Sequence, residues 1–280
     1  MTELGGQYGV WRRGADTGPE FAEAVERLGY ASLWLGGVTE DDLHRGAGLL
    51  AATKRLVVAT GIVNIWTIGP EIAAGWFHRL HAAYPGRVVL GIGTGHREAQ
   101  GEQAATPYQA LVAYLDDLAR GGVPADRIVI AALGPRAMRL SRDRTAGTHP
   151  YLTTAEHTRT AREVVGAGKL VVPEQHVVVG EDAGATRRAA RESLGVYLTL
   201  TNYRNSWLRL GFTGADLDGG GSDALVDALV AQGSPAAVAG RLREHVDAGA
   251  DQVAIQVLGE DPVGDLTALA RELRLSLPAR

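Results

Sequence analysis

The sequence has no cysteine, little lysine and no long apolar run. Without cysteine, the chain cannot form disulfides, bind zinc or an iron–sulfur cluster through thiolates, or use a cysteine nucleophile. The apolar runs are far shorter than the roughly 20 residues that a membrane-spanning helix needs. Residues 1–14 also lack the apolar stretch of a secretion signal. We therefore expect a cytoplasmic protein with no membrane partner.

Charge of either sign is modest, and the formal net charge at pH 7 is −4. Lysine occurs only at Lys54 and Lys169, and arginine forms no run long enough to bind nucleic acid or a membrane surface. An apolar fraction of 45% is sufficient for a sizeable core. We expect a globular protein whose partner is a small-molecule substrate, with no nucleic acid. Because no linker or low-complexity tract interrupts the 280 residues, we predict a single domain over 1–280.

Short apolar runs alternate with longer helical patterns along the whole chain. The predicted strands are Gln7–Trp11, Ala31–Leu35, Leu56–Val63, Arg87–Ile92, Ile128–Ala132, Gly147–Tyr151, Leu170–Val179 and Gln252–Leu258. Strands that are apolar on both faces, each followed by a helix, indicate a parallel sheet covered by helices. Their number and the chain length favour an α/β fold of the closed (β/α)8 TIM-barrel type. An open doubly wound sheet is the alternative.

Residues 198–221 break this alternation and are predicted to form an insertion. A helix over Asp223–Val230 is expected to follow them, and another over Pro235–Ala248.

In a barrel of this type the active site lies at the carboxyl ends of the strands. The most informative of these ends is Gly91–His96, where glycine alternates with other residues directly after a strand. Glycine lets a backbone approach a ligand closely, and the turn around Thr94 and Gly95 is suited to hold an anion with its N–H groups. The alternative is a tight barrel turn without a ligand. The spacing differs from the GxGxxG dinucleotide motif.

A second candidate anion site is Leu133–Arg136. Gly134 is the predicted N-cap of a helix, and Pro135 is its first residue. A helix N-terminus that follows a barrel strand presents free N–H groups to an anion such as phosphate, and Arg136 is placed to assist. An ordinary turn between strand and helix is the alternative here.

Histidines supply the candidate proton donors. His96 and His149 each follow a predicted strand, although a loop histidine without a role is the alternative for both. His78 and His81 have the spacing of metal ligands on a helix but lack a carboxylate partner there, so we predict no metal site. No GxSxG motif supports hydrolase chemistry.

Taken together, these segments resemble the luciferase-like monooxygenase superfamily and, within it, the coenzyme F420-dependent oxidoreductases. The segments that carry the resemblance are Leu28–Leu35, Ala59–Ile62, Pro85–Gly95 and Ala132–Ala137. Pro173–Gln175 and Leu210–Phe212 are similar to an actinobacterial subgroup of such enzymes.

The resemblance implies a (β/α)8 barrel of the bacterial luciferase-like type, with an insertion and frequent dimerisation. It implies a cis peptide between Gly61 and Ile62, in a bulge against which the coenzyme ring lies. It places the phosphate of the coenzyme at the two anion sites. The implied cofactor-binding residues are Gly36, Gly61, Ile62, Asn64, Thr94, Gly95, Leu133, Gly134, Pro135, Arg136 and Ala137.

The sequence departs from the sugar-phosphate dehydrogenases of that family. They carry an Asp-His pair where this chain has Gly36-Gly37, and a Glu where it has His96. The sugar-phosphate reaction is therefore not carried over. We expect hydride transfer between coenzyme F420 and an unidentified small organic substrate, with room for the substrate above Gly36-Gly37. The alternatives are an FMN-dependent monooxygenase and a non-catalytic flavin- or deazaflavin-binding protein.

Overall fold

A computed structural model describes residues 4–95 and 106–276. The strands are β1 (Tyr8–Arg13), β2 (Ser32–Gly36), β3 (Val57–Thr60), β4 (Val63–Asn64), β5 (Val88–Gly93), β6 (Ile128–Ile130), β7 (Gly147–Thr148), β8 (Leu170–Val171), β9 (Glu174–Val179), β10 (Val230–Gly233) and β11 (Val253–Val257). The helices are α1 (Pro19–Arg27), α2 (Glu40–Ala52), α3 (Pro70–Ala83), α4 (Pro107–Arg120), α5 (Pro135–Arg144), α6 (Ala155–Val165), α7 (Ala183–Leu194), α8 (Thr201–Arg209), α9 (Gly214–Leu217), α10 (Asp223–Leu229), α11 (Pro235–Asp247) and α12 (Pro262–Glu272).

All strand pairs in the sheet are parallel, and the order β1-β2-β3-β5-β6-β7-β8 follows the chain. Parallel neighbours need a crossover, and helices provide it between the main strands. β2 and β5 are buried along their whole lengths, as expected for strands covered on both sides. The predicted parallel α/β sheet is confirmed.

The segment 170–179 closes the sheet into a barrel. β8 pairs with β7, and after two residues β9 pairs with β11, which in turn pairs with β1. Pro173 interrupts the strand because it has no N–H to donate, but its carbonyl accepts from Ala254 N at 2.9 Å. The predicted strand Leu170–Val179 is therefore two short strands in succession. The first pairs with one edge of the sheet and the second with the other.

One expected helix boundary is wrong. The helix predicted over Asp223–Val230 ends at Leu229, and Val230 begins β10, which pairs with the outer half of β9. Helix and strand follow each other without the Gly or Pro signal that marks most boundaries, so the short strand is hidden in the helical pattern.

The predicted insertion is confirmed and is helical, comprising α8 and α9. Its apolar residues form a core of their own with the turn after β7, including Leu152, Tyr203 and Trp207. The main core lies between the barrel and the outer helices. The insertion is thereby held beside the carboxyl ends of β7 and β9. Within the described ranges, no helix is long and apolar enough to span a bilayer.

Candidate functional site

A cavity of about 790 Å³ opens at the carboxyl ends of the strands. This volume is within the roughly 300–1,000 Å³ range of small-molecule sites. The expected site residues on its wall are Gly61, Ile62, Asn64, Thr94, Gly95, Leu133, Gly134, Ala137 and His149. Three other residues that were expected to bind the cofactor do not line the cavity: Gly36, Pro135 and Arg136. His96 lies outside the described residues.

The floor of the cavity is the backbone between β3 and β4. The peptide between Gly61 and Ile62 is cis, as the resemblance implies. Gly61 N donates to Leu35 O at 2.6 Å, and Gly61 O accepts from Trp11 Nε1 at 2.8 Å. Both polar groups of Gly61 are thus satisfied by neighbouring strands, so the floor has a defined position.

Gly91 allows β5 to lie close to β3, where a side chain would not fit. A Cβ atom there would lie 2.0 Å from Thr60 O, and the Thr60 hydroxyl exchanges two hydrogen bonds with the Gly91 backbone. Of the two interpretations offered for this segment, a tight barrel turn without a ligand is therefore the one that fits Gly91. Thr94 and Gly95, farther along the same segment, do reach the cavity wall.

Trp11 fills the space that was expected above Gly36. A Cβ atom on Gly36 would lie 1.8 Å from Cζ2 of the Trp11 indole. Gly36 is buried beneath that ring, while Gly37 lies on the cavity wall. The expectation of open room at Gly36 is therefore wrong, because β1 supplies a large side chain where β2 has none.

The N-terminus of α5 forms one end of the cavity. Gly134 is its N-cap and offers no side-chain cap to the first turn. Arg209 of α8 donates to Leu133 O at 3.3 Å and lines the same end. The Arg136 guanidinium instead lies over the Tyr108 ring at 3.7 Å, on an exposed surface. The cation beside this helix terminus is therefore Arg209, and the expected role of Arg136 is corrected.

His149 is held in the wrong state for a proton donor. Its Nδ1 is 2.7 Å from Val172 O, so this nitrogen carries the proton, and its ring stacks on Trp34 at 4.3 Å. Burial lowers the pKa of His149 to about 4, so the ring is neutral near pH 7. Nε2, beside Gly61, is a buried acceptor with no partner among the described residues. The expectation that His149 donates a proton is corrected, because its free ring nitrogen is able to accept a hydrogen bond and has no proton to donate.

The cavity wall also contains a cluster that the sequence did not reveal. The hydroxyl of Tyr151 is 3.0 Å from His176 Nε2, 3.0 Å from the Tyr197 hydroxyl and 2.9 Å from Gln256 Oε1. We call these four residues the Tyr151 network. Tyr151, Tyr197 and Gln256 line the cavity. They come from separate segments with no common motif, so no local pattern could have identified them.

Glu174 lies behind the Tyr151 network and is fully buried. Its Oε2 accepts from Leu152 N at 3.0 Å, and its Oε1 is 3.7 Å from His176 Nε2 with no hydrogen bond among the described residues. Burial raises the pKa of Glu174 well above its usual value and lowers that of His176 to about 3. Burial therefore favours the neutral form of both side chains. A polar Glu-Gln-His run in a buried strand was the one available sequence signal.

Comparison with known proteins finds a family match for part of the chain. Residues 3–121 match the luciferase-like monooxygenase family. A segment of 87 residues is 31% identical to an F420-dependent glucose-6-phosphate dehydrogenase of Microbacterium testaceum, covering 27% of this chain and 26% of that protein. The alignments thus span about a quarter of the curated relatives.

Solved structures extend the likeness to the whole chain. An F420-dependent secondary alcohol dehydrogenase, in complex with an F420-acetone adduct, has a TM-score of 0.76 at 14% identity, covering 98% of this chain and 99% of that one. The oxygenating constituent of 3,6-diketocamphane monooxygenase from Pseudomonas putida, in complex with FMN, has a TM-score of 0.65 at 15% identity, covering 98% and 100%. At this identity the likeness shows the fold. The match to the luciferase-like monooxygenase family thus covers residues 3–121, and the solved structures show that the chain as a whole has the same fold.

Proposed function

We propose that the protein is an oxidoreductase that transfers a hydride between coenzyme F420 and a small organic substrate. The observation that carries this proposal is the cavity itself. It joins a backbone floor at Gly61–Asn64 to a helix N-terminus that has Arg209 beside it. A flat ring with a phosphate-bearing tail fits such a site, because the floor offers a surface and the helix terminus attracts an anion.

The phosphate end of the coenzyme is assigned to the first turn of α5. This helix has ten residues, and its N-terminal dipole and free N–H groups favour negative charge. Arg209 adds a guanidinium, and Thr94 adds a hydroxyl on the same cavity wall. Ala137 lies on the wall with Gly134, so the turn presents backbone rather than bulky side chains to the ligand.

The ring end of the coenzyme is assigned to the floor. Gly61, Ile62 and Asn64 line it, and the unpaired Nε2 of His149 is an acceptor that a ring N–H would satisfy. A buried polar atom without a partner destabilises a protein by about 1–3 kcal/mol, so a ligand that supplies this hydrogen bond is favoured. When bound, the deazaflavin supplies or accepts the hydride, and the protein orients it.

FMN is the second candidate, because the fold is shared with a monooxygenase solved in complex with FMN. FMN also combines a flat ring with a phosphate, so the two ends of the cavity suit it in the same way. A binding protein without catalysis is the third possibility.

A side-by-side fluorescence titration with F420 and FMN tests the proposal. We expect F420 to bind at least about tenfold more tightly than FMN. Tighter binding of FMN would support the monooxygenase, and binding of neither would contradict the proposal. Oxidation of reduced F420 by a panel of ketones and enones without oxygen then separates a hydride-transfer enzyme from a binding protein.

The homodimer and the cytoplasmic location also stay proposals. Sedimentation of the purified chain tests the first, and cell fractionation tests the second.

A further inference from the structure

We propose that the substrate is a carbonyl compound and that the Tyr151 hydroxyl donates the proton to its oxygen. This inference rests on the proposed function and names the substrate class of the same site. Tyr151 lines the cavity, and its ring lies 5.3 Å from that of Trp11, which contacts the floor through Gly61. Tyr151 thus lies on the wall of the same cavity as the surface assigned to the coenzyme ring.

The Tyr151 network surrounds the Tyr151 oxygen with three groups at hydrogen-bond distance. In the resting state the Tyr151 hydroxyl donates to Gln256 Oε1. Once the proton moves to a ligand, the oxygen accepts from the Tyr197 hydroxyl and from His176 Nε2, each 3.0 Å away. Both neighbours are able to donate, the histidine in its Nε2–H tautomer. Hydrogen bonds to a charged oxygen are about twice as strong as neutral ones.

The charge state of Glu174 affects Tyr151. Burial raises the pKa of Glu174 well above its usual value and so favours its protonated form, whereas its ionised form raises the pKa of Tyr151. Burial also raises the pKa of Tyr151, so that its hydroxyl retains the proton until a basic oxygen takes it. An alkoxide formed from a carbonyl is such an oxygen.

The turn that presents Tyr151 is strained and clamped. Leu152 has a φ of 53°, in the left-handed region that is unfavourable for a non-glycine residue. Glu174 Oε2 accepts from Leu152 N at 3.0 Å, and Leu152 O accepts from Trp207 Nε1 at 3.3 Å. Strain of this kind persists only where surrounding contacts hold it, and it is concentrated at functional sites. These two hydrogen bonds hold the backbone of Leu152 and so fix the orientation of the preceding residue, Tyr151.

The chemistry balances with the reduced deazaflavin as hydride source. The carbonyl carbon gains the hydride and forms a new C–H bond, while the π electrons of the C=O bond move to oxygen. The O–H bond of Tyr151 breaks, and its proton goes to that oxygen to give an alcohol. The substrate is reduced by two electrons and the coenzyme is oxidised by two. Tyr151 regains a proton from water after the product leaves.

The probe for this site is 4-nitrophenol, whose phenolate oxygen mimics the developing alkoxide and whose absorbance reports its protonation state. We expect the full-length protein, loaded with oxidised F420, to bind the phenolate form. Tyr151→Phe is expected to weaken that binding about tenfold or more, because a hydrogen bond to a charged oxygen is lost. Affinity for F420 should not change, since the coenzyme is assigned to other residues.

Tyr30→Phe is the matched control. Its hydroxyl donates to Leu266 O, away from the cavity, so the same chemical change should leave 4-nitrophenol binding intact. If Tyr151→Phe does not fold, Tyr197→Phe replaces it, with an expected loss of about threefold or more. Equal affinity of wild type and Tyr151→Phe, or no binding by wild type, would overturn the inference. Failure of wild type to bind F420 would instead overturn the proposed function.

A turnover measurement gives the second readout. With cyclohexanone as acceptor, Tyr151→Phe is expected to lower kcat by about a hundredfold, the scale of general acid catalysis. A loss of that size in His96→Ala, with Tyr151→Phe unaffected, would assign the proton to His96 and refute this inference.

Discussion

Two parts of the cavity wall, the α5 end and the Tyr151 end, differ in what they are made of. The α5 end presents backbone at Gly134 and an exposed cation, Arg209, both open to water. The Tyr151 end presents side chains backed by buried neutral groups, His176 and Glu174. The first arrangement suits attraction of a charged group that need not react. The second suits a proton transfer, because its electrostatics are fixed and screened from solvent. The difference indicates that coenzyme affinity and chemistry are assigned to separate parts of the wall.

The largest expected effect concerns the charge state of the Tyr151 end. Because the folded pKa of Glu174 is raised, the folded protein keeps a proton that the unfolded chain releases above its ordinary pKa of 4.5. The stability from this group is thus complete below that pH and is lost as pH rises toward the folded pKa. The loss is up to about 1.4 kcal/mol per pH unit.

Glu174→Gln removes this dependence while keeping a neutral side chain of similar shape. Urea denaturation should show equal stability of wild type and variant near pH 4.5, and a growing advantage of the variant toward pH 8. Parallel pH dependences of the two proteins would mean that Glu174 is ionised in the fold. Wild type and variant should show the same loss of stability from their histidines as pH falls below 6.5. The lowered pKa values of His149 and His176 cause this loss, and the substitution leaves both histidines in place.

At the α5 end, Gly134→Leu is expected to weaken F420 binding about a hundredfold. A leucine side chain would cover the first turn of the helix and block the approach of an anion to its N–H groups. Its Cβ has room, with Arg209 Nη2 the nearest atom at 3.9 Å, so the fold should persist. Fluorescence titration measures the affinity and circular dichroism checks the fold. Unchanged affinity would remove this turn from the site.

Two arginines give a matched pair at the same end. Arg209→Ala is expected to weaken F420 binding about tenfold, because a charge-assisted contact with the phosphate is lost. Arg136→Ala should have little effect, since that guanidinium lies over Tyr108 outside the cavity. The difference between the variants should shrink in high salt. If Arg136→Ala weakened F420 binding more than Arg209→Ala did, Arg136 would have the role that the sequence suggested for it.

The smallest expected effect concerns the floor of the cavity. Trp11→Phe deletes the N–H that holds Gly61 O, and a loss of about threefold in F420 affinity should follow as the floor loosens. Trp76→Phe is the control, because that indole N–H has no hydrogen-bond partner among the described residues. If both variants bind F420 like wild type, the floor does not depend on Trp11.

The same contrast explains what could be predicted from sequence. The α5 end is local: the order strand, Gly134, Pro135, helix is contiguous, so spacing and backbone chemistry were enough to find it. The apolar strands were likewise visible, because burial on both faces leaves a continuous apolar run. The family resemblance supplied the cis peptide at Gly61.

The Tyr151 end is assembled from β9, β11, the turn after β7 and Tyr197 just before the insertion, and the contacts exist only after the barrel closes. Arg209 was missed for the same reason, since it reaches Leu133 from a helix 76 residues farther along the chain. Trp11 was missed because its position depends on the absence of a side chain at Gly36 in the next strand. Local sequence patterns predict strands and helix ends. The positions of these side chains depend on the tertiary fold, which such patterns do not describe.

A crystal structure with oxidised F420 tests the central claim most directly, because it shows which end of the cavity holds which part of the coenzyme. We predict the phosphate within hydrogen-bond distance of the first-turn N–H groups of α5 and of Arg209. We predict the ring against Gly61–Asn64, with an open space between it and the Tyr151 hydroxyl. A phosphate bound at the Tyr151 network, or a ring seated away from the floor, would contradict the account.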